Sequence, residues 1–565
     1  MPNYTAWYWK FIPHYREVYD PYLEEDQQTA EFMNKELEPN LEYRDEANRK
    51  WYQFFDEYEY RYNEHTRKNK VWWSWFDKNA TKAEKKLVLK LDFMIVLYTI
   101  GGFWSLTLDS TNLTNAFVSG MREDLNMVGD ELSTATATFS AGQVSFQILF
   151  MYIFPRLPLN YLFFATNLLW SLITILSANV QNAQQLYVSR FFCGAAESSF
   201  FVQVHYLLGN VYTASEISSR GGLFYTGLML GGLTSGLLQG QIYQSLNGVL
   251  GKAGWRWIFI IDGAITIPIA FYGLYAVPGT PENCYSLFLT DEEILLSRKR
   301  LRDANIVPPS KNPPPFLDFN LWKKILTSWQ IYVLMIFDGL FWNCSGPIKN
   351  SGFPLWLDSL KRYSTPELNR ITSIPSALGI AIVLAVCLSA DIFKSRSAAI
   401  LFGTAMTLTS SAILAAWDVP ESALWYAFYI CYFGYSISSV LYGWLNDIMR
   451  HDPQERAIVL CAANIFSAQS IAWLVPVAFP TSEGPRFKKG YRFATSVDAV
   501  LLAWTVLTFV LYKRQERKDA RKNGIVLYNS AKGDIPEEVA EYLASQKNDT
   551  ETDTEKVSIN APNKE

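Results

Sequence analysis

LVLKLDFMIVLYTIGGFWSLTL, residues 87–108, opens a series of apolar runs that continues almost to the end of the chain. A helix of about 20 apolar residues spans roughly 30 Å of hydrocarbon, so each run of this length reads as a membrane-crossing helix. Their centres fall near residues 98, 143, 169, 198, 232, 267, 338, 380, 407, 434, 468 and 503. The second run is rich in Ser and Thr, and the seventh contains Asp338 and runs into Asn343. These two are the weakest. The expected fold class is an all-α integral membrane protein with twelve transmembrane helices in two six-helix halves.

A polar, Pro-rich stretch that includes VPPSKNPPPF separates the two sets of six. The expected organisation is an N-terminal arm (1–86), a first six-helix half (87–277), a linker (278–328), a second half (329–512) and a C-terminal tail (513–565). Paired halves of this kind are typical of secondary transporters. The arm segment YRDEANRKWYQFFDEYEYRYNEHTRKNKVWWSWF (43–76) is both charged and aromatic. Disordered tails are poor in aromatics. The segment is therefore expected to form an amphipathic helix at the membrane surface or against the bundle. The acidic tail beyond about residue 530 reads as disordered.

The composition supports a membrane protein. Of 565 residues, 49% are hydrophobic and only 18% charged, against about 25% charged in soluble domains. The net charge of -4 and the lack of a basic block predict no nucleic-acid partner. The six Cys have no CxxC or paired spacing, so they read as buried small hydrophobes rather than a disulfide or zinc framework. The first twenty residues lack the long apolar core of a secretory signal peptide.

Orientation follows from Lys and Arg. Lys82, Lys85 and Lys86 precede the first span; Arg298, Lys299, Arg300, Arg302, Lys323 and Lys324 lie in the linker; Lys513, Arg514, Arg517, Lys518, Arg521 and Lys522 follow the last span. An even number of spans puts these regions on one side, with both termini cytoplasmic. Asp109, Glu123, Asp124, Asp130 and Glu131 then fall in an outer segment after the first span, together with the sequon at Asn112. The outer loop near 480–493 conflicts with the rule, because Arg486, Lys488, Lys489 and Arg492 make it basic.

Arg190 and Glu197 lie inside the fourth span. Each charge near a helix centre costs about 2.5–3.5 kcal/mol. Seven residues is close to two turns, so both face one way, into the bundle. The plain reading makes them structural, with Arg190 snorkelling toward the surface. The functional reading makes Arg190 an anion contact, suited to carboxylate by its planar fork, and Glu197 a group that loads and releases a proton. His205, eight residues on, is either a proton relay or a packed histidine. Asp338, Asn446 and Asp447 are further polar residues in or beside spans; helix-end capping accounts for Asp447, and Asp338 has no evident partner. In ADIFKSRS (390–397), Asp391, Lys394 and Arg396 form a candidate gate after the eighth span, where an acid can cap the next helix N-terminus. No GxxxxGK[ST], HExxH or nucleophile elbow is present, so neither an ATP-driven pump of that type nor an enzyme is expected, and no metal or cofactor is called for.

LDSTNLTNAFVSGMREDLNM (108–127), RFFCGAAESS (190–199), GWRWIFIIDG (254–263) and the DxxKxR loop together resemble the anion:cation symporter branch of the major facilitator superfamily. The likeness is to the fungal allantoate-permease-type carriers. YRDEANRKWYQFFDEYEYRYN, CYSLFLTDEE (284–293) and ARKNGIVLYNS (520–530) extend it over about residues 42 to 532. The resemblance implies the twelve-helix major facilitator fold, plasma-membrane location and alternating access. It also implies proton-coupled uptake of a small organic anion or amino-acid derivative: a vitamin, allantoate, dipeptide or sulfoxide amino acid. The energy source is the proton gradient. In related anion carriers the fourth-span Arg and Glu, here Arg190 and Glu197, serve substrate and proton coupling. FPRLPLN (154–160) lacks the aspartate of the superfamily's usual loop motif, and the first span lacks an inward basic residue found in some anion carriers. The rival reading is a nutrient receptor with the carrier fold that signals through its arm.

Overall fold

The computed structural model describes residues 11–20, 41–61, 75–76, 80–127, 131–154, 156–304, 306–309, 315, 318–344, 352–363, 365–480, 483–533 and 535–542. The chain divides into two compact units, one of residues 1–29 and 71–508, the other of residues 30–70 and 509–565.

The first unit is helical. Its first six spans are α1 (Lys82–Ala116), α2 (Glu131–Ile153), α3 (Leu159–Ser177), α4 (Ala183–Glu197, resuming as Phe200–Val211), α5 (Ile217–Leu246) and α6 (Gly254–Ala276). The second six are α7 (Trp329–Cys344), α8 (Thr365–Ile392), α9 (Arg396–Ala416), α10 (Glu421–Ile448), α11 (Pro453–Ala478) and α12 (Lys488–Lys518). Each expected centre falls within one of these helices or, for α4, on the interruption at Ser198 and Ser199. Eight of the helices are long and apolar enough to cross a membrane, and a ninth is so if Phe319–Thr327 and Trp329–Cys344, bent by 63°, count together. The other three, α2, α4 and α11, carry Gln147, Arg190, Glu197 and Asn464. Of these, α4 is broken at Ser198 and Ser199 into pieces of 15 and 12 residues, each shorter than a single span needs.

The halves differ from the expectation at the first span. α1 does not end near residue 108; it continues through LDSTNLTNA to Ala116. Asp109 and Asn112 are therefore not in an outer loop. Both are buried, and Asn112 accepts a hydrogen bond from Gln239 of α5 at 2.5 Å. A buried helical asparagine is no glycosylation acceptor. Within the 480–493 segment, Arg486 pairs with Asp418 at 2.5 Å and Lys489 with Glu483 at 3.2 Å. Two of its basic charges are thus locally balanced, and Lys488 already opens α12. All six cysteines are buried.

Two glycines set the distance between α2 and α4. A Cβ on Gly142 would lie 2.0 Å from the Phe191 carbonyl oxygen, and one on Gly194 would lie 2.2 Å from the Phe139 carbonyl oxygen. Only the missing side chain permits that approach, and it holds the charged face of α4 against its neighbours.

Between the halves, the linker helix Asp291–Asp303 starts at a capping box in which Thr290 and Glu293 serve each other's backbone. Its Arg300 donates to both Glu216 oxygens at 2.7 Å and to Glu84 at 3.0 Å. The linker thereby grips the ends of α1 and α5.

The second unit corrects the expectation for the arm. Glu42–Asp45 (β1) is a strand, paired in parallel with Ile525–Tyr528 (β2) in register Glu42↔Ile525 through Asp45↔Tyr528. Short 3-10 turns follow at Glu46–Asn48 and Trp51–Phe55. No amphipathic α-helix occupies residues 43–61; the rest of the 43–76 expectation falls largely outside the described residues. Lys513 donates to Glu59 at 2.5 Å and to the Asp56 carbonyl at 2.7 Å, and Arg49 forks onto Glu59 at 2.7 and 2.9 Å. Ser530 donates its hydroxyl to Asp45 at 2.5 Å and its amide at 3.1 Å. That hydroxyl, with the Ala47 and Ser530 amides, holds the Asp45 carboxyl below the usual carboxylate range. The expected disordered tail falls largely at 543–565, outside the described residues.

Candidate functional site

The charged residues of the fourth span meet a partner that sequence reasoning had placed outside the membrane. Asp109 of α1 faces Arg190 of α4, with Arg190 Nη1 donating to Asp109 Oδ2 at 3.4 Å. Thr174 of α3 donates to the other Asp109 oxygen at 3.1 Å, and Asn112 approaches it at 3.4 Å. Cys193 Sγ lies 3.3 Å from Asp109 Oδ2 and 3.3 Å from Glu197 Oε1. All four residues of this cluster are buried. The Arg190 guanidinium also lies 4.8 Å from the Phe139 ring centre, a cation–π contact.

Two carboxyls thus lie in one buried cluster with a single guanidinium, which contacts Asp109, while the Cys193 thiol lies between Asp109 and Glu197. The ligand atoms of Asp109, Cys193 and Glu197 lie within 4.8 Å of one another, close enough to hold a metal by distance alone. The guanidinium already supplies the positive charge there. Glu197 Oε2 and Arg190 Nε have no hydrogen-bond partner among the described residues. Glu197 also sits where the ladder of α4 is interrupted: Ser198 caps back to Ala195 and Gln203 reaches Ser199 at 2.7 Å. Broken helices at ion and substrate sites recur in transporters. A third acid, Asp262 of α6, is buried beside Asn112 and Gln239.

The signal for Asp109 was present in the chain. LDSTNLTN is polar enough to read as a loop, but Asp109 and Asn112 are three residues apart and so share one helical face. That face looks inward.

His205 is brought elsewhere. It is buried, and its ring stacks on Tyr442 of α10 at 4.3 Å and 22°. Phe201 and Phe224 close around it at 4.7 and 5.6 Å. Its Nε2 has no hydrogen-bond partner among the described residues. The ring therefore packs at the seam between halves.

Tyr442 leads to the partner that Asp338 lacked in sequence. Its hydroxyl donates to Asp338 Oδ2 at 3.0 Å and receives a bond from Asn464 of α11 at 3.3 Å. Asn464 Oδ1 in turn accepts from Gln147 of α2 at 2.6 Å. This is a directional string from the first half into the second: Gln147 to Asn464 to Tyr442 to Asp338.

The candidate gate lies at the linker end. Asp391 caps the start of α5, accepting from the Ser219 amide at 2.7 Å and its hydroxyl at 2.5 Å. Arg396 is wholly buried, pairs with Asp447 at 3.2 Å and donates to the Ala214 carbonyl. Asp447 is thus an ion-pair partner, beyond a helix cap. Lys394 occupies the turn between α8 and α9 at φ 52°. Sequence reasoning noted Asn446 but missed Gly209, Asn210 and Arg456 at the seam. Arg456 of α11 donates to Asn210 and to the Gly209 carbonyl, and Asn446 donates to the His205 carbonyl at 3.2 Å. A Cβ on Gly209 would lie 2.1 Å from Asn446 Oδ1, so α4 and α10 touch there without room for a side chain.

A family model described as the Major Facilitator Superfamily matches residues 99–475. Among curated relatives, a vitamin H transporter of Saccharomyces cerevisiae is 41% identical over 509 residues, 89% of this chain and 85% of its own. A pantothenate transporter of Schizosaccharomyces pombe is 34% identical over 442 residues, 77% of this chain and 84% of its own. A second pantothenate transporter, from Saccharomyces cerevisiae, is 29% identical, covering 78% and 87% of the two chains. Among solved structures, a proton:xylose symporter of the same superfamily matches with a TM-score of 0.57 at 13% identity, over 75% of this chain and 96% of the other. That match is one of fold.

Proposed function

The chain belongs to the Major Facilitator Superfamily as a multi-pass membrane transporter of a small organic substrate, and from that premise we propose that it is a proton-coupled symporter of a carboxylate-bearing solute. It is a secondary transporter and not an enzyme. The observation that carries the proposal is that two buried carboxyls, Asp109 and Glu197, lie in one cluster with a single guanidinium, Arg190.

The mechanism follows from charge. Inside a low-dielectric bundle an unbalanced charge is costly. Arg190 balances one carboxylate; the other acid is the place for a proton. A proton taken up at Glu197 and passed to Asp109, with the Cys193 thiol 3.3 Å from each, releases Arg190 from its internal partner. The guanidinium is then available to a substrate carboxylate, which restores the balance. Loss of the proton on the other side returns the carboxylate to Arg190 and expels the anion. Proton and substrate thus travel together because they compete in opposite senses for one cation. Cys193, between the two acids, holds their spacing.

The solute class follows from the relatives. Vitamin H and pantothenate each carry a carboxylate and an amide-like group. The carboxylate suits Arg190. The amide-like group suits the Gln147–Asn464–Tyr442 string, whose members both donate and accept. His205 serves as a packing face beside that string. Asp391, Lys394 and Arg396 form the inner gate, which rocking of the halves must open by parting Asp391 from Ser219 and Arg396 from Ala214. The location is the plasma membrane with both termini cytoplasmic, supported by the basic residues before the first span, in the linker and after the last span.

Uptake of labelled biotin, pantothenate and allantoate in cells lacking related carriers tests the proposal. The expected result is uptake stimulated by acid and abolished by a protonophore. Uptake indifferent to both would end the proton role, and no uptake by protein shown to be at the surface would reject these solutes.

A further inference from the structure

The second unit presents an aromatic surface that neither transport nor the pairing of β1 with β2 uses. Trp51, Tyr52, Phe54 and Phe55 lie on one short 3-10 turn and are 80%, 53%, 36% and 63% exposed. Their rings stack edge to face on one another, Trp51 on Phe55 at 6.1 Å and Phe54 on Phe55 at 5.7 Å. Four adjacent aromatics left in water would be an unusual surface for a soluble fold.

Their position within the unit says what covers them. Phe54 packs edge-on against Phe509 at 5.5 Å. Phe509 belongs to α12, and its neighbour Val510 is 43% exposed, as a lipid-facing residue of a crossing helix should be. Four residues on, a rise of about 6 Å, the helix turns basic: Lys513, Arg514, Arg517 and Lys518. The aromatic turn is therefore level with the boundary between the apolar and charged parts of α12. Trp and Tyr concentrate at that depth because their rings are apolar and their tips polar. Exposed Lys50 and Arg514 flank the turn, which suits anionic headgroups. The turn is held rigidly: Arg49 and Lys513 both bind Glu59, and Gln53 caps the Lys50 amide at 2.8 Å.

We propose that Trp51, Tyr52 and Phe55 insert into the headgroup region of the bilayer that α12 crosses, seating the joined arm and tail on the membrane. The occupant of this surface is lipid, and the insertion is by rigid aromatic rings rather than by an amphipathic helix.

The test uses the full chain in nanodiscs of phosphatidylcholine and phosphatidylserine. The native cysteines are buried, so a spin label on Phe55→Cys is selective, and Ala531→Cys on the exposed turn after β2 serves as the aqueous control. Relaxation by oxygen and by a water-soluble nickel chelate reports depth. The expected result is an oxygen-to-nickel accessibility ratio several-fold higher at position 55 than at 531. The same contrast is expected from Trp51→Cys, which guards against a local effect of one substitution. Equal ratios at 51, 55 and 531 would overturn the proposal by leaving the surface in water. Shielding of 51 and 55 from both reagents would overturn it in favour of a protein partner.

Discussion

The two halves treat the same pair of helix positions in opposite ways. In the first half, the opening helix presents Asp109 to the fourth helix, which answers with Arg190 at 3.4 Å and adds Glu197. In the second half, the opening helix α7 presents Asp338 to the corresponding fourth helix α10, which answers with Tyr442 at 3.0 Å. One half pairs an acid with a charge; the other pairs an acid with a hydroxyl backed by two amides. The difference suggests a division of labour. The first half is built to exchange charge, as proton and anion binding require. The second is built to exchange hydrogen bonds, as recognition of a neutral polar group requires.

The comparison breaks most visibly at Arg190. Replacing it with Gln leaves Asp109 buried without its cation, at a cost of about 3–5 kcal/mol. Thermal unfolding of the purified protein should show this, and Asp109→Asn in the same chain should recover much of it. A loss that the double variant fails to recover would mean that the two do not act as a pair.

The seam between the halves comes next. Asp391→Asn weakens two bonds from Ser219, and bonds to charged groups are worth about 1.5–3 kcal/mol. Cysteine accessibility at the linker end, read at Gly443→Cys or a neighbouring position, should rise. No change would separate Asp391 from the gate.

Tyr442→Phe sharpens the comparison from the other side. It removes the hydroxyl that receives from Asn464 and donates to Asp338, at about 1–3 kcal/mol. The expected readout is a raised KM with the pH profile of uptake unchanged. A shifted pH profile would bring the second half into proton handling and erase the division. Smallest is Arg486→Ala, which removes an exposed pair with Asp418 worth about 0–1 kcal/mol. It should leave uptake and melting where they were.

Much of this architecture is legible in the chain, and the exceptions have physical reasons. Apolar length locates most of the helices, eight of them plainly and a ninth with its bent pair, because a crossing helix must satisfy its backbone internally whatever its tertiary contacts. The cost of a buried charge singles out Arg190 and Glu197. Asp109 escaped because LDSTNLTN has the composition of a loop. Its polar groups are satisfied by Thr174 of α3 and Gln239 of α5, which no local rule can see. Asp338 was flagged as costly, but its partner lies about a hundred residues away on α10. The pairing of β1 with β2 was the least legible element. β1 and β2 are four residues each and nearly five hundred residues apart, so neither has a strand pattern long enough to declare itself. The aromatic content of 43–76 did point to an ordered arm, which over residues 43–61 is one strand and short turns.

The most direct test of the central claim compares accumulation with exchange in proteoliposomes that carry the wild-type chain or Glu197→Gln. With labelled biotin and pantothenate, and an imposed pH gradient, the wild type should accumulate substrate against its concentration. The Glu197→Gln protein should exchange labelled for unlabelled substrate at a comparable rate but accumulate nothing when the gradient is applied. Accumulation by the variant that follows the pH gradient as the wild type does would contradict the account, because the proton would then be carried without Glu197.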